Sequence, residues 1–140
     1  MISISREEFI NTCISINDKL NDYLYSENHS LTEEEKDIID DDINKIIEQF
    51  TSTTSKFIEV KSEVEVRIVE KIYDLCDSIF SRQNCIRNLK LELETRNSTY
   101  KISDLKIIIN INKRELEGLY ETYFNLSSYA ISCFSQTRKR

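Results

Sequence analysis

The 140-residue chain has no proline, no tryptophan and a single glycine, Gly118. At a usual proline frequency of about 5%, roughly seven prolines would be expected. Folds built from many short strands turn their corners on glycine and proline, so that class is excluded first. Long helices need neither residue. Alanine is also nearly missing, with Ala130 alone. Because alanine is the best helix former, helicity does not explain its scarcity. Alanine, glycine and proline use GC-rich codons, whereas the abundant Ile, Asn and Lys use AT-rich ones. Part of the bias therefore points to an AT-rich genome. The expected fold class is all-α, an elongated helical bundle or antiparallel coiled-coil hairpin of three to four helices in one domain.

The groups that do chemistry are sparse as well. His29 is the only histidine, and it falls in a predicted loop, which leaves little for histidine-based acid–base or triad catalysis. No glycine-rich phosphate loop and no G-x-S-x-G turn occurs. Asp40, Asp41 and Asp42 stand in a row, but consecutive helical side chains point 100° apart and do not converge on one ion. A calcium loop would need a glycine, and a di-iron bundle would need Glu-x-x-His pairs. Those aspartates are expected to form a solvated face. No enzyme activity, cofactor or metal is expected.

Formal charge is −6. A nucleic-acid module needs a basic face for phosphate contacts, and the only basic cluster is Arg138, Lys139 and Arg140, read as a helix end that complements the dipole. Direct nucleic-acid binding is not expected, and the acidic balance disfavours anionic lipid surfaces. No apolar run of about 18 residues exists, so no membrane span is expected. The four cysteines, Cys13, Cys76, Cys85 and Cys133, form no C-x-x-C pair, and Cys76 and Cys85 lie on opposite sides of one helix. With no signal peptide, a reducing cytoplasmic or nuclear location is expected.

Periodicity places the elements. Ser5 with Glu8 reads as a capping box, followed by a stripe of Phe9, Cys13, Ile16, Leu20 and Leu24. Thr32 with Glu35 opens a second helix carrying Ile39, Ile43, Ile46 and Phe50. "TSTTS" at residues 51–55 is a run of poor helix formers, read as a bend or break rather than one fused rod. Phe57, Val60, Val64 and Ile68 then resume the helical spacing. "RNSTYKISD" at 96–104 reads as a reversal, with Asn97 and Ser98 ending one helix and Ser103 or Thr99 capping the next. The expected helices are near 5–25, 32–50, 56–96 and 103–135. They divide into a helix pair over 1–50 and a longer hairpin over 51–140.

Two long seams dominate. In the first, Ile72, Ile79, Ile86 and Leu93 repeat every seven residues beside Ile68, Leu75, Arg82, Leu89 and Arg96. In the second, Leu105, Ile109, Asn112, Leu116, Leu119, Tyr123, Leu126 and Ala130 step alternately by four and three. Ile at a with Leu at d suits a parallel zipper. However, Val69, Tyr73, Cys76 and Phe80 widen the stripe, and pairs such as Cys85 with Lys90 or Ser78 with Gln83 offer a homodimer no charge match. The wide face predicts a bundle in which each helix touches two neighbours.

Arg82 is expected to lay its stem on apolar surface and reach water with its head; the competing reading is an acid on a partner. Asn112 divides between a satisfied bundle group and a register pin. The function expected from these features is a structural or interaction subunit of a multi-protein assembly. It would pack through the interaction seam, hetero-oligomeric with a homodimer left open. A monomeric regulator with a groove for an amphipathic helix is the alternative, and it requires five or more short helices around a central one. No motif ties the chain to a family.

Overall fold

The computed structural model describes residues 6–25, 31–51, 62–96 and 99–138. Within them lie four helices, α1 (Arg6–Leu24), α2 (Glu33–Thr51), α3 (Glu63–Thr95) and α4 (Ile102–Arg138), and no strand.

Local chemistry sets most of the ends. Thr32 and Glu35 form the expected box: Glu35 N–H donates to Thr32 Oγ1 and Thr32 N–H to Glu35 Oε1, both at 3.1 Å. Glu33, Glu34 and Glu35 place negative charge at the positive end of α2. Ser5 and His29 lie outside the described residues, as do residues 52–55 of the run 51–55 read as a break, Phe57 and Val60, while Thr51 is the last residue of α2. Helices α2 and α3 are separate and pack on each other, as a bend or break between them requires. Ser62 is extended, at φ −154° and ψ 162°, and caps α3 by accepting from Glu65 N–H at 3.2 Å. Val64, expected on the inner stripe, is exposed.

At the far end of α3 the termination differs from expectation. Arg96 adopts the left-handed conformation, φ 55° and ψ 27°, and is exposed. It ends the helix and is not a seam residue. Asn97 and Ser98 lie outside the described residues. The next helix begins at Ile102, with Leu105 N–H bonded to Lys101 C=O at 2.9 Å, so Ser103 sits inside α4 and does not cap it. The six-residue connection turns α4 back along α3.

Each helix packs on two neighbours: α1 on α2 and α4, α3 on α2 and α4. Partner numbers run in opposite directions along every such edge. Asp37, Asp41 and Asn44 meet Lys90, Arg87 and Gln83 in turn. Phe9 meets Phe134 and Tyr23 meets Tyr120. The order is up–down–up–down in a closed ring of four, with no central helix among the described residues.

The core runs the length of the ring, from Phe9, Phe50 and Phe134 at one end through Ile16, Ile43, Ile72 and Ile79 to Ile86 and Leu116. Burying one such side chain contributes about 1.5–3 kcal/mol.

Candidate interaction surface

The seam residues occupy this core to different depths. On α3, Ile68, Ile72, Ile79 and Ile86 are buried, while Leu75, Leu89 and Leu93 are half-buried. On α4, Leu105, Ile109, Asn112, Leu116 and Tyr123 are buried, and Leu119 and Leu126 half-buried. Most of this surface is thus occupied by the chain's own helices. The buried line of α3 also includes Cys76 and Gln83, which a strict heptad reading leaves on its flank, and Glu65, seven residues before Ile72 in the heptad series itself. The wide stripe was the available signal, since Gln83 lies four residues after Ile79 and three before Ile86.

Arg82 and Asn112 meet each other. Arg82 Nη1 donates to Asn112 Oδ1 at 2.6 Å and lies 2.7 Å from Glu115 Oε2. Asn112 Nδ2 in turn donates to Ile108 C=O at 2.8 Å. Both polar interruptions are satisfied within one hairpin.

Sequence periodicity did not reveal two polar bridges across the diagonals of the ring, one at each end. Near the start of α1, Arg6 makes a bidentate pair with Glu65 of α3, at 2.6 and 3.0 Å, and both side chains are almost wholly buried. The Arg6 guanidinium also lies over the Phe134 ring, 4.6 Å from its centroid. Toward the other end, Tyr120 of α4 donates its hydroxyl to Asp40 Oδ1 of α2 at 2.7 Å. Gln83 Nε2 donates both to that hydroxyl, at 2.7 Å, and to Asp40 C=O, at 3.0 Å, while Asn44 Nδ2 donates to Gln83 Oε1. A third polar contact, between Ser127 Oγ and Asn17 Oδ1, joins α4 to α1.

This placement corrects the reading of the aspartates as one solvated face. Asp41 is exposed and paired with Arg87, and Asp42 pairs with Lys19. Asp40 turns inward, and burial pushes its carboxyl up to about 6. The same burial holds the Tyr120 hydroxyl far above its ordinary value, reinforced by the Asp40 charge. Beside them is a cleft of about 180 Å³ lined by Asp37, Asp40, Gln83, Ile86, Lys90 and Leu116. Its rim charges are committed, Asp37 to Lys90 at 2.9 Å and Asp41 to Arg87 at 3.0 Å. No metal-binding group of side chains occurs among the described residues.

The thiols are dispersed. Cys13 and Cys76 are buried, and burial pushes the Cys13 thiol up to about 12, which makes it a poor nucleophile. They stand on the diagonal helices α1 and α3, whose Cα atoms nowhere come within 8 Å, too far for a disulfide without backbone movement.

Apolar side chains are also exposed on α3 and α4. Helix α4 runs past the start of α2, since Glu33 meets Lys113, whereas α3 ends about level with that start, Asp37 meeting Lys90 five residues before Thr95. From Lys113 to the start of α4 is about 16 Å at 1.5 Å per residue. In that part of α4 Ile102, Ile107 and Ile111 are exposed while Leu105 and Ile109 are buried, and Tyr100 before it and Leu91 on α3 are exposed as well. The first three turns of α4 thus show apolar residues on an outward side, Ile107 and Ile111, as well as on the buried one, with Ser103, Lys106 and Asn110 forming an exposed polar strip. Further along α4, Tyr129 is also exposed. Gly118 sits between these residues on the surface, and a Cβ built on it would meet nothing within 4 Å. A mid-helix glycine costs about 1 kcal/mol relative to alanine.

Comparison with known proteins returns no match to a family, a curated protein or a solved structure. No described helix is long and apolar enough to cross a membrane.

Proposed function

We propose that the protein is a non-enzymatic helical subunit of a multi-protein assembly, acting in the cytoplasm or nucleus. It joins partner proteins by helix–helix packing. The observation that carries this reading is the number of exposed apolar residues toward the connected end of the α3–α4 hairpin, Leu91, Tyr100, Ile102, Ile107 and Ile111. A lone exposed apolar residue needs no explanation, but five toward one end of a hairpin are read as an interaction surface. The inward seam holds the rod rigid, and the polar bridges at both ends keep its four helices in register.

The test is affinity capture from the cells that make the protein, wild type against the double substitution Leu91→Glu with Ile102→Glu. Both residues are exposed, so the variant should fold and melt like wild type. The expected result is a stoichiometric partner that co-purifies with wild type and is lost from the variant. A partner retained by the folded variant, or a wild-type chain that purifies with no other protein, would overturn the proposal.

A further inference from the structure

From Ile107, steps of 100° per residue bring Ile111, Arg114, Gly118, Glu121, Asn125 and Tyr129 to within about 40° of one another's mean direction on α4. That direction faces away from both neighbours of the helix. The residues that pack on α3 and α1, such as Leu116, Tyr120 and Tyr123, are buried on the opposite side. Ile107 is 57% exposed, Ile111 50% and Tyr129 57%. Gly118 lies midway between Ile107 and Tyr129, and midway between Ile111 and Asn125. Nothing in the chain's own fold requires it, because a Cβ there would enter open space.

We infer that this face of α4 is an antiparallel homodimer interface, with a second copy of the chain related by a two-fold axis at Gly118. The inference rests on reading the protein as an interaction subunit and names one of its partners. A two-fold axis at Gly118 sets Ile107 against Tyr129 of the second copy and Ile111 against Asn125, each pair occurring twice, as an isologous interface demands. It also brings Arg114 of each copy beside Glu121 of the other. Both side chains are exposed, and neither makes an ion pair or hydrogen bond within the described residues. A parallel pairing would instead oppose Arg114 to Arg114 and Glu121 to Glu121. Glycine at the crossing point lets the two backbones approach closely where side chains on either flank would otherwise hold them apart.

The experiment begins with the mass of the purified full chain by sedimentation equilibrium across micromolar concentrations. The expected species has twice the 16.6 kDa of one chain. Arg114→Glu should weaken dimerisation tenfold or more by setting acid against acid, and adding Glu121→Arg should restore it. Orientation is read by oxidative cross-linking with Cys85 and Cys133 replaced by serine. Gly118→Cys should link to itself, because the axis passes through it. Ile107→Cys alone should not, because its two copies stand about 33 Å apart at 1.5 Å per residue. A chain monomeric throughout, a dimer indifferent to Arg114→Glu, or self-linking at position 107 would overturn the inference. A monomer that still captures a partner protein through Leu91 and Ile102 would leave the assembly reading standing, whereas a dimer that captures none would remove that reading alone.

Discussion

Arg82 of α3 donates through Nη1 to Asn112 of α4 at 2.6 Å, and the same nitrogen lies 2.7 Å from Glu115 Oε2. The guanidinium is 37% exposed and Glu115 51%, so water screens the ion pair strongly.

Arg82→Leu should consequently shift unfolding stability by no more than about 1 kcal/mol, because Asn112 keeps its bond to Ile108 C=O. Ile79→Asp is the contrast, placing a charge at a fully buried position, and it should abolish the folded state. Urea titration followed by circular dichroism separates the two. A loss above about 3 kcal/mol for Arg82→Leu would show that the hairpin depends on this contact.

The Arg6–Glu65 bridge should behave differently, because both partners are buried. Arg6→Met strands a buried carboxylate and should cost about 3–5 kcal/mol. Removing both charges, with Arg6→Met and Glu65→Leu together, should recover most of that loss. A double-mutant cycle in urea checks it, and additive losses would show that the two side chains are not coupled.

Asp40 makes stability depend on pH with a definite sign. Its carboxyl is raised from 3.8 to about 6 by burial, so the folded chain holds this proton more tightly than the unfolded chain does. The favourable contribution is complete below about pH 4 and is lost as pH rises through 6. Asp40→Asn should remove that slope and leave the variant more stable than wild type above pH 7, by up to about 3 kcal/mol. Glu33, lowered chiefly by its bond to Lys113, contributes in the opposite sense and cancels in the difference. Parallel stability curves for variant and wild type between pH 4 and 7 would refute the assignment.

At Arg96 the left-handed backbone, φ 55°, is strained for a side chain bearing a Cβ and natural for glycine. Arg96→Gly should raise stability by about 0.5–1 kcal/mol, read as an increase in Tm of about 2–4 °C. A lower Tm would mean that the arginine side chain contributes more than its backbone costs.

What the sequence determined by itself is what depends on neighbours within a turn or two. The 3.6-residue spacing of Ile68, Ile72, Ile79 and Ile86 selects a helix with one buried face. The Thr32–Glu35 box marks a start, and the polar run after Thr95 marks the reversal. The width of the α3 stripe implied two neighbours per helix, as the ring of four has. Tertiary structure alone decided the contacts between residues far apart in the chain. Arg6 and Glu65 are separated by 59 positions, and Asp40 and Tyr120 by 80. No local pattern distinguishes Asp40 from Asp41, yet a rotation of 100° about α2 turns one toward Tyr120 and the other toward solvent. The same limit held for Arg82 and Asn112, each legible as a break in its own seam. That each break is the other's partner follows from the register in which α4 folds back along α3, which the packing of the whole hairpin sets and neither helix carries on its own.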